Sequence, residues 1–162
     1  MAIKKLVLDD FCEEEHFSLI GIHCTIEDYR LAFLLNTALD IRLTRKDSDI
    51  DNNNSKTTFS IFEWEDHAQF KTWHLVSNTC KIVCNQSHET LDSLFRFNEI
   101  TTETHHLVSK YKKANFLLKI NNGLNSKKEK LILEKILNID HVITAYSIAT
   151  DALKSKDQLI FN

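Results

Sequence analysis

The chain contains no proline, only two glycines (Gly21 and Gly123) and four cysteines among its 162 residues. Each shortage excludes something. With so little turn punctuation, element boundaries must be read from hydrophobic periodicity. Loops that cradle phosphate through backbone amides need clustered glycines, so fingerprints of that kind are excluded. Cys12, Cys24, Cys80 and Cys84 are too few for a secreted scaffold held by disulfides. Cys24 lies in an apolar run and reads as a reduced, buried thiol. Long apolar runs are missing too: "LAFLL" and "NFLLKI" fall far short of the roughly 20 residues a spanning helix needs. The opening "MAIKKLVLDDFCEEEHF" turns acidic before any signal-peptide core develops. A cytoplasmic location without membrane contact is therefore expected. A net charge of −3 supplies no global field toward nucleic acid.

What is present is a globular pattern long enough for one domain over residues 1–162. After an acidic lead-in (1–16), "FSLIGIHCTI" reads as a buried strand. Thr25, with Asp28 three residues on, reads as the cap of a helix "EDYRLAFLLNTALD" that is packed over most of its surface. "IRLTRK" follows as a short strand. The polar stretch 47–56 reads as a flexible loop. "TTFSIFEWE" and "FKTWHLVSN" form a hairpin across "DHAQ", with Phe62, Trp64, Trp73 and Leu75 as core wall. "CKIV" suggests a strand and "ETLDSLF" a short helix. "ANFLLKI" is a strand, and Ser126 with Glu129 makes a capping box for a helix burying Ile132, Leu133, Ile136 and Leu137. "HVITAYSI" closes the pattern, and the tail 151–162 ends in an apolar "LIF". Two β-α-β units around an antiparallel hairpin predict an α+β fold. The sheet should be mostly antiparallel, with two helices packed on one face, a ferredoxin-like variant.

Chemistry is harder to place. Cys80, Cys84 and His88 have a C-x3-C-x3-H spacing that would align three ligands on a helix, with His74 as a fourth. "CKIV" is strand-like, however, and no second tight ligand pair accompanies it, so no metal and no cofactor are implied. His23 and Cys24 point to opposite faces of a strand, as do His105 and His106 if that segment is extended. Carboxylates beside Cys12 and His16 oppose thiol activation. No catalytic residue is nominated. The regional asymmetry is basic: Lys110, Tyr111, Lys112, Lys113 and Lys119 form a candidate surface for a protein partner or for RNA phosphates, with an aromatic ring to stack on a base.

The segments "FSLIGIHCTIEDYRLAFLLNTAL", "FSIFEWED", "TWHLVSN", "FLLKI" and "ILNIDHVITAYSI" resemble the IPExxxVDY family, small proteins of Bacteroidetes. The name-giving signature falls on Val108 to Phe116, here "VSKYKKANF". Val108, Ala114 and Phe116 keep its apolar positions in kind. Ser109, Lys110 and Asn115 replace its proline and both acids. The resemblance implies a cytoplasmic bacterial protein and carries over no activity, ligand or catalytic residue. Three readings follow: a non-catalytic module binding a protein partner or itself, an RNA- or ribosome-associated protein, and a small-ligand sensor or enzyme.

Overall fold

The structure, a computed structural model, describes residues 16–52, 57–86, 99–153, 159 and 161. Among these residues ten strands and two α-helices follow in order: β1 (Phe17–Cys24), α1 (Asp28–Leu39), β2 (Thr44–Arg45), β3 (Ile50–Asn52), β4 (Thr57–Phe59) and β5 (Ile61–Asp66). Then come β6 (Lys71–Ser77), β7 (Thr79–Gln86), β8 (Glu99–His106), β9 (Phe116–Asn121), α2 (Ser126–Leu137) and β10 (Val142–Ile148). Six strands form one sheet in the order β10-β1-β9-β6-β5-β2, with every neighbouring pair antiparallel. β1 runs between β9 and β10, which are joined through α2, so this is a split β-α-β unit. β1-α1-β2 is the second such unit, and the β5–β6 hairpin occupies the space between β9 and β2. The α+β expectation holds, down to a ferredoxin-like order widened by an inserted hairpin.

Alternation along the strands divides the core. Ile20, Ile22, Trp73, Leu75, Leu118 and Ile120 share one face with Leu31, Ala32 and Leu35 of α1 and Ile136 of α2. Leu19, Ile61, Val76 and Leu117 belong to the other face, packed against Phe59, Leu107, Val108, Ala114, Leu153 and Leu159. Both helices thus cover one side, and chain outside the sheet covers the other.

Several local expectations change. The N-cap of α1 is Glu27 rather than Thr25; its side chain makes no capping bond, and Tyr29 N–H donates to Asp28 Oδ1 at 2.7 Å. α1 is not packed over most of its surface. Leu31, Ala32 and Leu35 set the buried side, and a residue two positions on lies about 200° round the helix, so Phe33 faces out at 68% exposure. Tyr29, one turn earlier, is equally open. In α2 the cap is Asn125, whose Oδ1 accepts from Lys128 N–H at 2.9 Å, one residue before the expected Ser126. Leu137 is exposed, leaving Ile136 fully buried with Ile132 and Leu133 beside it. The segment expected as a loop over 47–56 instead contributes β3, paired with β4. β7 and β8 pair with each other as a separate ribbon. The "ETLDSLF" helix and most of the lead-in lie outside the described residues.

Candidate functional site

Lys110, Lys112 and Lys113 are exposed around a tight 3-10 turn at Ser109–Tyr111. Tyr111 is half-buried in their midst. Its ring lies 6.4 Å from that of Tyr146, and the Lys110 Nζ sits 5.7 Å from its centroid. That ring is engaged by its own chain, so it does not present a free stacking face. The turn is held by Asn78, which sits fully buried between β6 and β7. The Asn78 Nδ2 donates to the carbonyls of Tyr111 (3.0 Å) and Ala114 (2.9 Å), and its Oδ1 accepts from Val108 N–H at 2.8 Å. Val108, Ala114 and Phe116, which flank the lysines, are all buried.

Lys119 does not join the other lysines. It stands in the middle of β9 at 2% exposure, on the sheet face opposite the helices. Its Nζ donates to the Leu159 carbonyl at 2.7 Å and lies 4.8 Å and 5.4 Å from the rings of Phe17 and Phe161. Strand register explains the placement. Glu63, His74 and Lys119 are direct cross-strand partners on β5, β6 and β9, forming a row of ionisable groups. The His74 Nε2 lies 2.8 Å from Glu63 Oε2, and Lys46 Nζ donates to the same oxygen at 3.1 Å. The periodicity of "FLLKI" could have revealed this row, since it puts Lys119 on the same alternation as Leu117.

Burial pushes the His74 imidazole below its ordinary range, with the Lys119 and Lys46 charges acting in the same direction against the pull of Glu63. For Glu63, burial alone would raise the carboxyl. The hydrogen bonds and charges of Lys46 and His74 outweigh it and hold the group below its usual range. Both folded values are lower than the unfolded ones, so the unfolded chain binds more protons as pH falls. Stability should therefore be full above about pH 6.5, the unfolded histidine value, and decline steadily below it. Thermal melts across pH 4–8 check this (roughly the span over which histidine and carboxylates titrate). His74→Gln should flatten the upper part of the decline while leaving the acid part.

The other chemical candidates separate. Cys80 and Cys84 lie four residues apart on an extended strand, about 13 Å, too far to share an ion. His88 lies outside the described residues, and among the described residues no group of three or more metal-ligating side chains comes together. His105 and His106 lie in extended β8, paired with Cys80 and Thr79. The His23 Nδ1 meets Asn115 Oδ1 at 2.5 Å, and the same oxygen accepts from Cys24 N–H at 3.1 Å. Cys24 is buried and free, and desolvation raises its thiol against the opposing backbone bond at Ile26. Burial and the raised thiol both oppose its activation as a nucleophile. Among the described residues no helix is long and apolar enough to cross a membrane.

Two features remain open on the surface. β10 is an outer strand whose sole sheet neighbour among the described residues is β1. It reads "VITAYSI", without charge or proline, and Ile143, Thr144 and Ser147 are exposed. On the helical side, a cleft of about 240 Å³ lies between the end of α1, α2 and the β5–β6 hairpin. No family model, curated protein or solved structure matches the chain.

Proposed function

We propose that this protein acts by binding rather than catalysis, and that its partner is a second copy of itself joined through the open edge of β10. The supporting observation is the character of that edge. The outer side of this seven-residue strand pairs with no other strand among the described residues, the usual template for adding another strand. Sheet edges that avoid pairing carry lysine, proline or a bulge on the outer strand. β10 has neither lysine nor proline, and its bulge, at Ile143 where the register against His23 and Cys24 shifts, lies near its start and leaves Thr144–Ile148 regular. An antiparallel strand pairs with its own copy across a two-fold axis, so one patch completes both halves of the interface.

Light scattering at high micromolar concentration should give the mass of a dimer. Ile143→Lys combined with Ser147→Lys places charge on the exposed positions and should give a folded monomer. A wild-type monomer under the same conditions would overturn the proposal. A dimer indifferent to both lysines would overturn its assignment to β10.

Exposed Lys110, Lys112 and Lys113 support a second proposal, contact with RNA phosphates in the cytoplasm. It rests on charge alone, because Tyr111 is packed against Tyr146. The proposed kinship with the IPExxxVDY family adds no activity to either reading.

A further inference from the structure

The inserted hairpin has a geometric side effect on the helical face. Six strands about 4.8 Å apart span roughly 24 Å, whereas two helices about 10 Å across cover roughly 20 Å. The shortfall appears as the cleft between the C-terminal end of α1 and α2, over the β5–β6 hairpin. Trp64 and Trp73, cross-strand partners with ring centroids 6.0 Å apart and planes tilted by 45°, form its aromatic wall. Leu39, Ile41, Leu124, Leu131 and Ile132 keep most of the remaining lining apolar, and its charged groups are of two signs. Lys128 and Lys135, two turns apart on one side of α2, stand at the rim, and both are exposed. Asp40, at the left-handed cap of α1, and Asp66, at the hairpin turn, supply carboxylates. One oxygen of Asp66 already accepts from Ala68 N–H and Gln69 N–H, which fixes the carboxylate at the turn.

Size and charge together define an occupant. A cavity of about 150 Å³ holds a bare benzene ring, and drug-sized ligands need about 300 Å³ or more. At about 240 Å³ this cleft takes one ring and a compact polar head. Indoles offer that ring an offset or edge-on stacking surface. Lysines on one side suit a carboxylate, and aspartates on the other suit an ammonium. We propose that the cleft binds a free aromatic amino acid, its ring against Trp64 and Trp73, its carboxylate toward Lys128 and Lys135, and its ammonium toward Asp40 and Asp66. None of the β10 residues lines the cleft, so this site stands independently of the dimer proposed above.

The chain carries only two tryptophans, and both line the cleft, so tryptophan emission, excited on the red side of tyrosine absorption, reports on this site alone. Titration of the full chain with L-phenylalanine, which absorbs little where tryptophan is excited, should give a saturable change in emission. Phenethylamine lacks the carboxylate and 3-phenylpropionate lacks the ammonium; each should bind at least tenfold more weakly. The double variant Lys128→Ala with Lys135→Ala alters two exposed side chains and should stay folded by circular dichroism. It should weaken L-phenylalanine at least tenfold while leaving phenethylamine unchanged. No saturable change with L-phenylalanine would overturn the proposal. So would equal binding of all three compounds, or affinity unaffected in the double variant.

Discussion

Replacing Asn78 with alanine is expected to destabilise the protein by about 3 kcal/mol, because it strands buried backbone groups at Val108 and Ala114, on either side of the 3-10 turn and outside the strands. The Val108 N–H and the Ala114 carbonyl each lose a side-chain partner, while the Tyr111 carbonyl keeps the Ala114 N–H at 3.0 Å. Each unsatisfied buried group costs about 1–3 kcal/mol, and two are created. The backbone of Asn78 also holds the turn, accepting from Leu107 N–H and donating to the Asn115 carbonyl, and this part survives substitution. The loop should therefore loosen rather than detach. Urea denaturation should show a lower midpoint at an unchanged slope. Trypsin gives a local readout, since cleavage after Lys110, Lys112 or Lys113 should accelerate as the turn opens. Asn78→Asp should be worse, because it exchanges two donors for a buried carboxylate facing two carbonyls. An alanine variant as stable and as resistant to trypsin as the parent would refute the role given to this residue.

Charge reversal at Lys119 is the second large effect, and it divides the lysines that sequence proximity groups together. Lys119→Glu would place an anion against the Leu159 carbonyl and beside the carboxylate-bearing row of His74 and Glu63. Leaving an uncompensated charge buried costs about 3–5 kcal/mol. The same change at Lys110, Lys112 or Lys113 falls on exposed positions and should shift stability by no more than about 0.5 kcal/mol. Lys119→Met supplies a control. Apolar replacement of a buried ion is often neutral or stabilising, so it should be far milder than the glutamate. RNA binding carried by the surface lysines would be lost in their triple reversal with the fold intact. An effect of Lys119 on RNA would report unfolding.

What was legible in the sequence follows from how each element is buried. β1, β9 and the β5–β6 hairpin carry alternation fixed by a core on at least one side, and they emerge near their expected places, although the run expected as one strand from Thr57 divides into β4, paired with β3, and β5 from Ile61. α2 carries a clear stripe around Ile132 and Ile136. α1 is apolar nearly all round, so periodicity could not say that Leu31 and Leu35 win the core over Tyr29 and Phe33. β8 was hidden for the opposite reason: residues 101–104 are all exposed, so this stretch has no apolar alternation to read. β3 pairs through backbone groups within an Asp- and Asn-rich segment. The site suffered most. Lys119 looked like part of a basic patch because charge was read along the chain, whereas strand alternation assigns it to the interior.

The order of the sheet also governs how this chain comes together in time. β1 lies among its earliest described residues, yet its two neighbours begin at Phe116 and Val142. Phe17 pairs with Asn121, and Leu19 with Ile148. While the chain emerges from a ribosome, β1 is made long before either strand that flanks it, and its apolar "FSLIGIHC" must wait with α1 as the nearest local cover. The β5–β6 hairpin can form early, because its partners adjoin in sequence. Closing the centre requires loops of about a hundred residues, the kind of distant pairing that slows folding. Assembly from the hairpin inward is therefore the expected order, with β9 as the strand that joins the early half to the waiting one.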